Sequence, residues 1–347
     1  MIKIPYGISN FKQLRENDYY LVDKTKYIEQ LEQFNQRFLF FVRPRRFGKS
    51  LFLSILEHYY DIRRKDEFMD LFGPYYIGQQ PTKLANQYLI LKFNFSGIDT
   101  RDYDSTFKSF LFNVKHGVKS FLIEYADYFG DEDINGVDYL SFPAQAIQYL
   151  YEVMAKQLPP YKIYLLIDEY DHFANEILAF RFEEFSQIVS RNGYVRKFFE
   201  AIKIATGQGV IDRLFVTGVS TITLDSLTSG FNISTNITLS PRFHDMVGFK
   251  TDEVETILRG VNVSDEGLPN IMEDLKVWYD GYAFSRDVKE RLYNSDMVLY
   301  FADHYSYDQS YPDDLLDINI ASDYTKVRRL FKIKNREKEQ LRYLDDL

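Results

Sequence analysis

Two short stretches carry the residue types that chemistry on a phosphate ester needs. The first is Gly48-Lys49-Ser50, within "FLFFVRPRRFGKSLFLS" at residues 38–54; the second is Asp168-Glu169, at the end of "YLLIDE". A residue without a Cβ lets successive backbone N–H groups curl around a phosphate at a helix start, where the helix dipole adds to the attraction. Lys49 would then reach the β- and γ-phosphate oxygens, and the Ser50 hydroxyl would ligate Mg²⁺. Asp168 suits the water shell of the same hard cation, and Glu169 suits the orientation of an attacking water. Standing alone, a Gly-Lys-Ser arises by chance and an acidic pair is a solvated turn. Standing together on the right elements, they predict a nucleoside triphosphate site.

Those elements are readable. Apolar runs at 38–42, 88–95, 161–167 and 213–219 alternate with amphipathic stretches, the pattern of an α/β protein with a mostly parallel sheet. Phe52, Ile55, Leu56 and Tyr59 fall at helical spacing directly after the loop. Phe107, Phe110, Leu111, Val114, Val118 and Phe121 form a longer stripe, and a third helix over 144–158 stops at Pro159-Pro160. The strand before Asp168 would deliver the acidic pair to the C-terminal edge of the sheet, where ligands bind in such folds. After about residue 245 convincing strands give way to "TDEVETILRGV" and "LPNIMEDLKVWYD", so a sheet domain over 1–245 and a small, mainly helical domain over 246–347 are expected. The charged segment 326–347 also reads as helix.

Composition narrows the chemistry further. The 347 residues carry a formal net charge of −9, which argues against binding DNA over the whole surface while leaving a local basic groove open. Aromatic residues reach 17%, with 30 Phe and 28 Tyr, and are expected to build the core. No cysteine is present, which excludes disulfides, zinc ribbons and thiol nucleophiles, and the five His lack metal-ligand spacing. The start, MIKIPYGIS, has no signal-peptide pattern, and no apolar run approaches the roughly 20 residues that span a bilayer. A cytoplasmic protein without a membrane partner is expected.

Around the two central motifs lie further candidates. "DRLFVTGVSTIT" reads as a strand ending near Thr217 and Ser220, where additional-strand P-loop ATPases carry a polar sensor; Thr217 is the candidate, with strand-end capping as the alternative. Arg242 could be a second sensor or a surface ion pair, and Asp171 a surface or structural carboxylate. Arg43, Arg45 and Arg46 form a basic cluster in an acidic chain, able to neutralise a triphosphate, to pair with the acidic edge or to touch a neighbouring domain. A full phosphate-loop pattern asks for glycine at position 43; at the loop's entrance an extended backbone would accept Arg43 without strain. The expected nucleotide-binding set is Arg43, Arg46, Phe47, Gly48, Lys49, Ser50 and Leu51. Ser50 and Asp168 are the expected metal ligands, and Glu169, Lys49 and Thr217 the expected catalytic groups.

"IPYGISNFKQLRENDYYLVDKTKYIEQL", "RPRRFGKS", "LLIDEYD" and "NISTNITLSPRFHDMVGF" together resemble the AAA-ATPase-like proteins common in gut and anaerobic bacteria. The resemblance continues through "WYDGYAF" and "RLYNSDMVLYF", so it spans nearly the whole chain. In that family an arginine at the first loop position is usual. The resemblance implies an additional-strand P-loop ATPase with a helical or winged-helix lid, using ATP and Mg²⁺. It also implies that Asp23, Lys24 and Thr25 of "LVDKT" lie beside the nucleotide, a capped helix start being the alternative. Members often carry a C-terminal nuclease domain with an Asp and a Glu-x-Lys pair. That pattern has no convincing copy here, and the chain ends about where such a domain would begin.

Three functions compete on these grounds. The first is Mg²⁺-dependent ATP hydrolysis driving a conformational switch coupled to an effector or a nucleic-acid-processing partner. The second is a non-hydrolysing nucleotide-binding scaffold for a nuclease or partner protein, against which the intact Asp168-Glu169 pair argues. The third, a stand-alone nucleic-acid binder, is weakened by the acidic balance. A homo-oligomer and a DNA or nuclease partner are compatible with the first two.

Overall fold

The computed structural model describes residues 1–190, 192–220, 232–285 and 287–315. The helix expected over 326–347 lies outside the described residues, as do residues 221–223 at the end of the stretch that carries Thr217.

Among the described residues, five strands form one sheet: β1 (Phe38–Val42), β2 (Tyr88–Asn94), β3 (Lys162–Asp168), β4 (Ile211–Gly218) and β5 (Thr235–Asn236). Their order is β2-β3-β4-β1-β5, and every pairing is parallel. Parallel strands need crossovers that cover both sheet faces, so their residues are buried on both sides. The alternation is clean. Phe40, Val42, Leu89, Leu91, Leu165, Ile167, Leu214 and Val216 enter one apolar cluster, while Leu39, Phe41, Ile90, Leu166 and Phe215 enter the other. The first face is covered by helices Tyr103–Glu124, Pro143–Gln157 and Tyr194–Gly207. The second is covered by helix Lys49–Tyr60, which buries Phe52, Ile55, Leu56 and Tyr59. The expected helical stripes therefore face the core.

β4 is inserted between β1 and β3, the additional-strand arrangement expected from the sequence. Register then does the positioning. Phe41 pairs with Thr217 and Val42 with Gly218, while Ile167 pairs with Val216. The C-terminal ends of β3, β4 and β1 thus stand side by side. They present the loop after β1, Asp168 at the end of β3 and Thr217 near the end of β4 along one edge.

The C-terminal region is helical through Thr251–Gly260, Leu268–Tyr279 and Ser295–Asp308, with antiparallel bridges between Phe249 and Tyr293 and between Tyr282 and Leu292. Its apolar cluster includes Val254, Leu258, Leu275 and Phe301, and also Ile4 from the start of the chain. The Ile2 N–H donates to the Gly260 carbonyl at 2.9 Å. A Cβ on Gly260 would lie 2.5 Å from Ile2 Cδ1, so any larger residue there would have to displace the Ile2 side chain. The first residues are thereby strapped onto the C-terminal helices. Among the described residues, no helix is long and apolar enough to cross a membrane.

Candidate functional site

The phosphate-type loop runs from the end of β1 to the start of helix Lys49–Tyr60. It turns through two left-handed residues, Arg46 with φ 64° and Gly48 with φ 89°. Arg43 is not among the positive-φ residues, so the arginine at the loop's entrance carries no backbone strain of that kind. Gly48 is the N-cap of the helix and makes no side-chain cap, which leaves the first-turn N–H groups for an anion. Lys49 is buried, and its Nζ donates to the Pro44 carbonyl at 2.9 Å, closing the loop on itself. Burial pushes its pKa down, while Glu169, Asp168 and Asp171 push it up; the net shift is downward.

On the acidic side three donors converge on one buried carboxylate. Ser50 Oγ donates to Asp168 Oδ2 at 2.6 Å, Thr217 Oγ1 to Oδ1 at 2.8 Å, and the Glu169 N–H to Oδ1 at 3.0 Å. The Thr217 hydroxyl thus bonds to Asp168 on the neighbouring strand. Glu169 follows with φ 51°, a left-handed conformation uncommon for a non-glycine residue and often found at functional positions. Its Oε2 lies 3.0 Å from His172 Nδ1. Burial raises the Glu169 pKa, but the neighbouring His172, Lys49 and Arg45 outweigh it and leave the carboxyl below its usual value. Glu169 is ionised at neutral pH.

Asp171 is structural and buried, not on the surface. It accepts hydrogen bonds from the Val219 and Ser220 N–H groups and from Asn175 Nδ2, fixing the chain after β4. Gly218 is required beneath it, since a Cβ there would meet Asp171 Oδ1 at 2.4 Å.

The three arginines diverge. Arg43 does not join the loop's mouth. Its guanidinium donates to the carbonyls of Val42, Thr238, Phe243 and His244 at 2.7–3.3 Å, and stacks between the rings of Phe41 and Phe284 at 4.3 and 4.0 Å. Burial lowers its pKa to about 9, which still leaves it charged at neutral pH. The expectation of Arg43 as a phosphate ligand thus gives way to a clamp holding β1 to the segment that leads into the C-terminal helices. Arg46 pairs with Asp296 at 2.8 Å, and Arg45 contacts His172 Nδ1 at 2.9 Å; both line the central cavity. We expect Arg43→Met to lower the unfolding midpoint by a few degrees, since each buried carbonyl left without a donor costs about 1–3 kcal/mol. Thermal melts measure it, and an unchanged midpoint would rule out the clamp.

The remaining expected residues also separate. Phe47 is buried against Tyr282 and Phe284 and offers only its backbone, whose carbonyl accepts from the Gly248 N–H. Leu51 and Lys24 line the cavity, and Lys24 pairs with Glu253 at 2.6 Å. Asp23 and Thr25 instead brace local structure, Asp23 accepting from the Thr25 and Tyr76 N–H groups and Thr25 Oγ1 accepting from the Ile77 N–H. Arg242 is exposed and reaches Gln33 Oε1 at 3.3 Å; it does not line the cavity, because its short helical turn, Pro241–Phe243, points it outward.

The cavity is about 430 Å³, within the usual range for small-molecule sites. Lys49, Ser50, Glu169 and His172 line it, and so does an apolar set that combines Pro5, Ile8, Leu21 and Val22 with Val247, Phe249 and Leu299. Sequence reading missed this wall. Its signal, apolar residues in a segment with no helical or strand period, looks like an ordinary loop until residues 5–22 meet residues 247–299.

Residues 5–228 match the family described as Predicted AAA-ATPase, a span that includes Gly48, Lys49, Ser50, Asp168, Glu169 and Thr217. The chain belongs to the AAA-ATPase-like family. A curated relative, an uncharacterized protein in the vnfD 5′ region of Azotobacter chroococcum mcd 1, is 28% identical over 309 residues. That alignment covers 86% of this AAA-ATPase-like chain and 52% of the relative, so the chain spans about half the length of the curated relative it matches. Among solved structures, a Walker-type ATPase of Pyrococcus abyssi is similar at 11% identity, with a TM-score of 0.44 over all of this chain and 79% of that one.

Proposed function

We propose that this AAA-ATPase-like chain binds ATP with Mg²⁺ and hydrolyses it. The observation that carries the reading is the convergence of Ser50 and Thr217 on Asp168, next in sequence to Glu169, with Lys49, Ser50 and Glu169 lining the cavity. The residues fit a hard divalent cation. A hydroxyl oxygen and a carboxylate oxygen stand 2.6 Å apart, and no cluster of three or more His, Asp or Glu among the described residues forms a closed cage. Such a cation keeps several waters and takes its other ligands from phosphate. When bound, Mg²⁺ supplies charge neutralisation between phosphate oxygens.

The chain's own residues do the rest. The first turn of helix Lys49–Tyr60 and Lys49 hold the phosphates, and burial makes each contact stronger than in water. Glu169, ionised and held at the edge of β3, orients the water that attacks the γ-phosphate in line. The apolar wall takes the purine. Thr217 keeps Asp168 in place.

We propose further that occupancy is passed to the C-terminal helices. Asp296 N–H and Ser295 Oγ donate to the Arg46 carbonyl at 3.2 Å, and Gly248 N–H donates to the Phe47 carbonyl at 3.1 Å. A loop that tightens on phosphate pulls on these bonds. The effector at the far end is, in this reading, a nuclease or nucleic-acid-processing partner. Phosphate release measured with and without DNA tests that part.

The central test combines calorimetry with a phosphate-release assay. We expect ATP binding and turnover with Mg²⁺, and loss of turnover to background when EDTA removes the cation. Turnover that survives EDTA overturns the metal assignment. Absence of ATP binding overturns the reading as a whole, and ATP binding without turnover returns the scaffold alternative.

A further inference from the structure

One ring nitrogen at the site is claimed twice. His172 Nδ1 lies 3.0 Å from Glu169 Oε2 and 2.9 Å from an Arg45 Nη2. A guanidinium has only protons to offer, so its contact requires a lone pair on Nδ1. An ionised carboxylate has only lone pairs, so its contact requires a proton on the same nitrogen. A neutral imidazole satisfies one neighbour at a time, and its tautomer decides which.

His172 is also held rigidly. It begins helix His172–Phe180, and its N–H donates to the Glu169 carbonyl at 3.1 Å. The preceding Asp171 is locked by the Val219 and Ser220 N–H groups and by Asn175. The backbone that carries the ring is thus fixed beside Glu169. Arg45 lines the same cavity as Lys49 and Ser50.

We propose that His172 is a positioning residue whose Nδ1 passes from Arg45 to Glu169 when a triphosphate fills the cavity. The anion draws Arg45 away. The single ring proton moves from Nε2 to Nδ1 by exchange with solvent, leaving the net charge unchanged. Nδ1–H then donates to Glu169 Oε2 and turns Oε1 toward the attacking water. Without nucleotide, Arg45 takes the lone pair and Glu169 loses its orienting donor, which suppresses water attack until the substrate is in place. The inference rests on the reading of Glu169 as the group that orients water.

The test separates positioning from structure. His172→Phe keeps ring volume and removes both nitrogens; we expect kcat to fall by about 10–100-fold, the range for a lost orienting partner, with KM and calorimetric ATP affinity little changed. In a Glu169→Gln background the same substitution should cost nothing more, because the group it acts through is already gone. His172→Asn places an N–H near the position of Nδ1 and should restore most of the rate. Histidine ¹⁵N spectra, with the His172 signals assigned by their loss in His172→Asn, should show the proton on Nε2 in the free protein. With Mg²⁺ and a non-hydrolysable ATP analogue it should lie on Nδ1. Wild-type kcat in His172→Phe, an equal loss in the Glu169→Gln background, or ring nitrogens indifferent to the analogue overturns the proposal. A wild-type protein that binds ATP without turnover overturns the hydrolysis reading instead, and the spectra then decide the proton transfer alone.

Discussion

The Glu169→Gln protein is expected to bind ATP as well as the wild type while releasing phosphate roughly 10²–10⁴-fold more slowly, the contribution typical of a positioned acid–base group. The substitution keeps side-chain length and an acceptor oxygen for His172, so the local packing survives. It removes one negative charge from a site that already holds Asp168 and the buried Asp171. An anionic ligand therefore loses nothing in affinity, and turnover alone should fail. Because His172, Lys49 and Arg45 hold the Glu169 carboxyl below its usual pKa, the group is ionised at neutral pH and remains so through mild acid. The sign follows: its contribution to activity and to stability is present above the ordinary carboxylate range and is lost as pH falls through the depressed value. Single-turnover phosphate release beside calorimetric affinity checks both statements. Wild-type turnover in this variant would remove Glu169 from the chemistry.

Lys49→Met should do the opposite and strike binding. Hydrogen bonds to charged groups are worth about 1.5–3 kcal/mol, so losing the ammonium should weaken ATP binding by about 10–100-fold and abolish measurable turnover. The surrounding charge deepens the loss, since Asp168, Glu169 and Asp171 all act on this cation and would then meet the triphosphate with one fewer positive charge to offset them. Fold loss can be told apart from ligand loss. Burial lowers the Lys49 pKa relative to the unfolded chain, so carrying its charge costs folding free energy at neutral pH. Methionine of similar volume removes that cost, and the nucleotide-free variant should melt no lower than the wild type. A variant that melts normally and still binds ATP with unchanged affinity would sink the loop assignment.

Much of this site was legible from residues adjacent in the chain. Gly48, Lys49 and Ser50 are neighbours, and one strand–loop–helix unit sets their geometry through local backbone preference. Asp168 and Glu169 are likewise set by where an apolar strand ends. Thr217 was readable at one remove, because β4 had to lie beside both motifs for its hydroxyl to matter, and it does. Asp171 looks in sequence like one more acidic residue of "DEYD". Only its three donors, brought from the end of β4 and the next helix, make it a buried brace.

The arginines show where that legibility stopped. Arg43, Arg45 and Arg46 sit within four residues, and sequence treats them as one basic cluster. Their side chains are long enough to choose among partners up to two hundred and fifty positions away. Arg43 chose carbonyls near residue 240 and the Phe284 ring, Arg45 chose His172, and Arg46 chose Asp296. The sequence by itself determined the chemistry and the sheet edge that presents it, because short-range backbone geometry and strand burial act over a few residues. Tertiary structure alone decided which cations line the cavity, which apolar residues join them and which group lies against Glu169. Those outcomes depend on packing between the first twenty-odd residues, the sheet and the C-terminal helices, and no local pattern encodes a contact between segments so far apart.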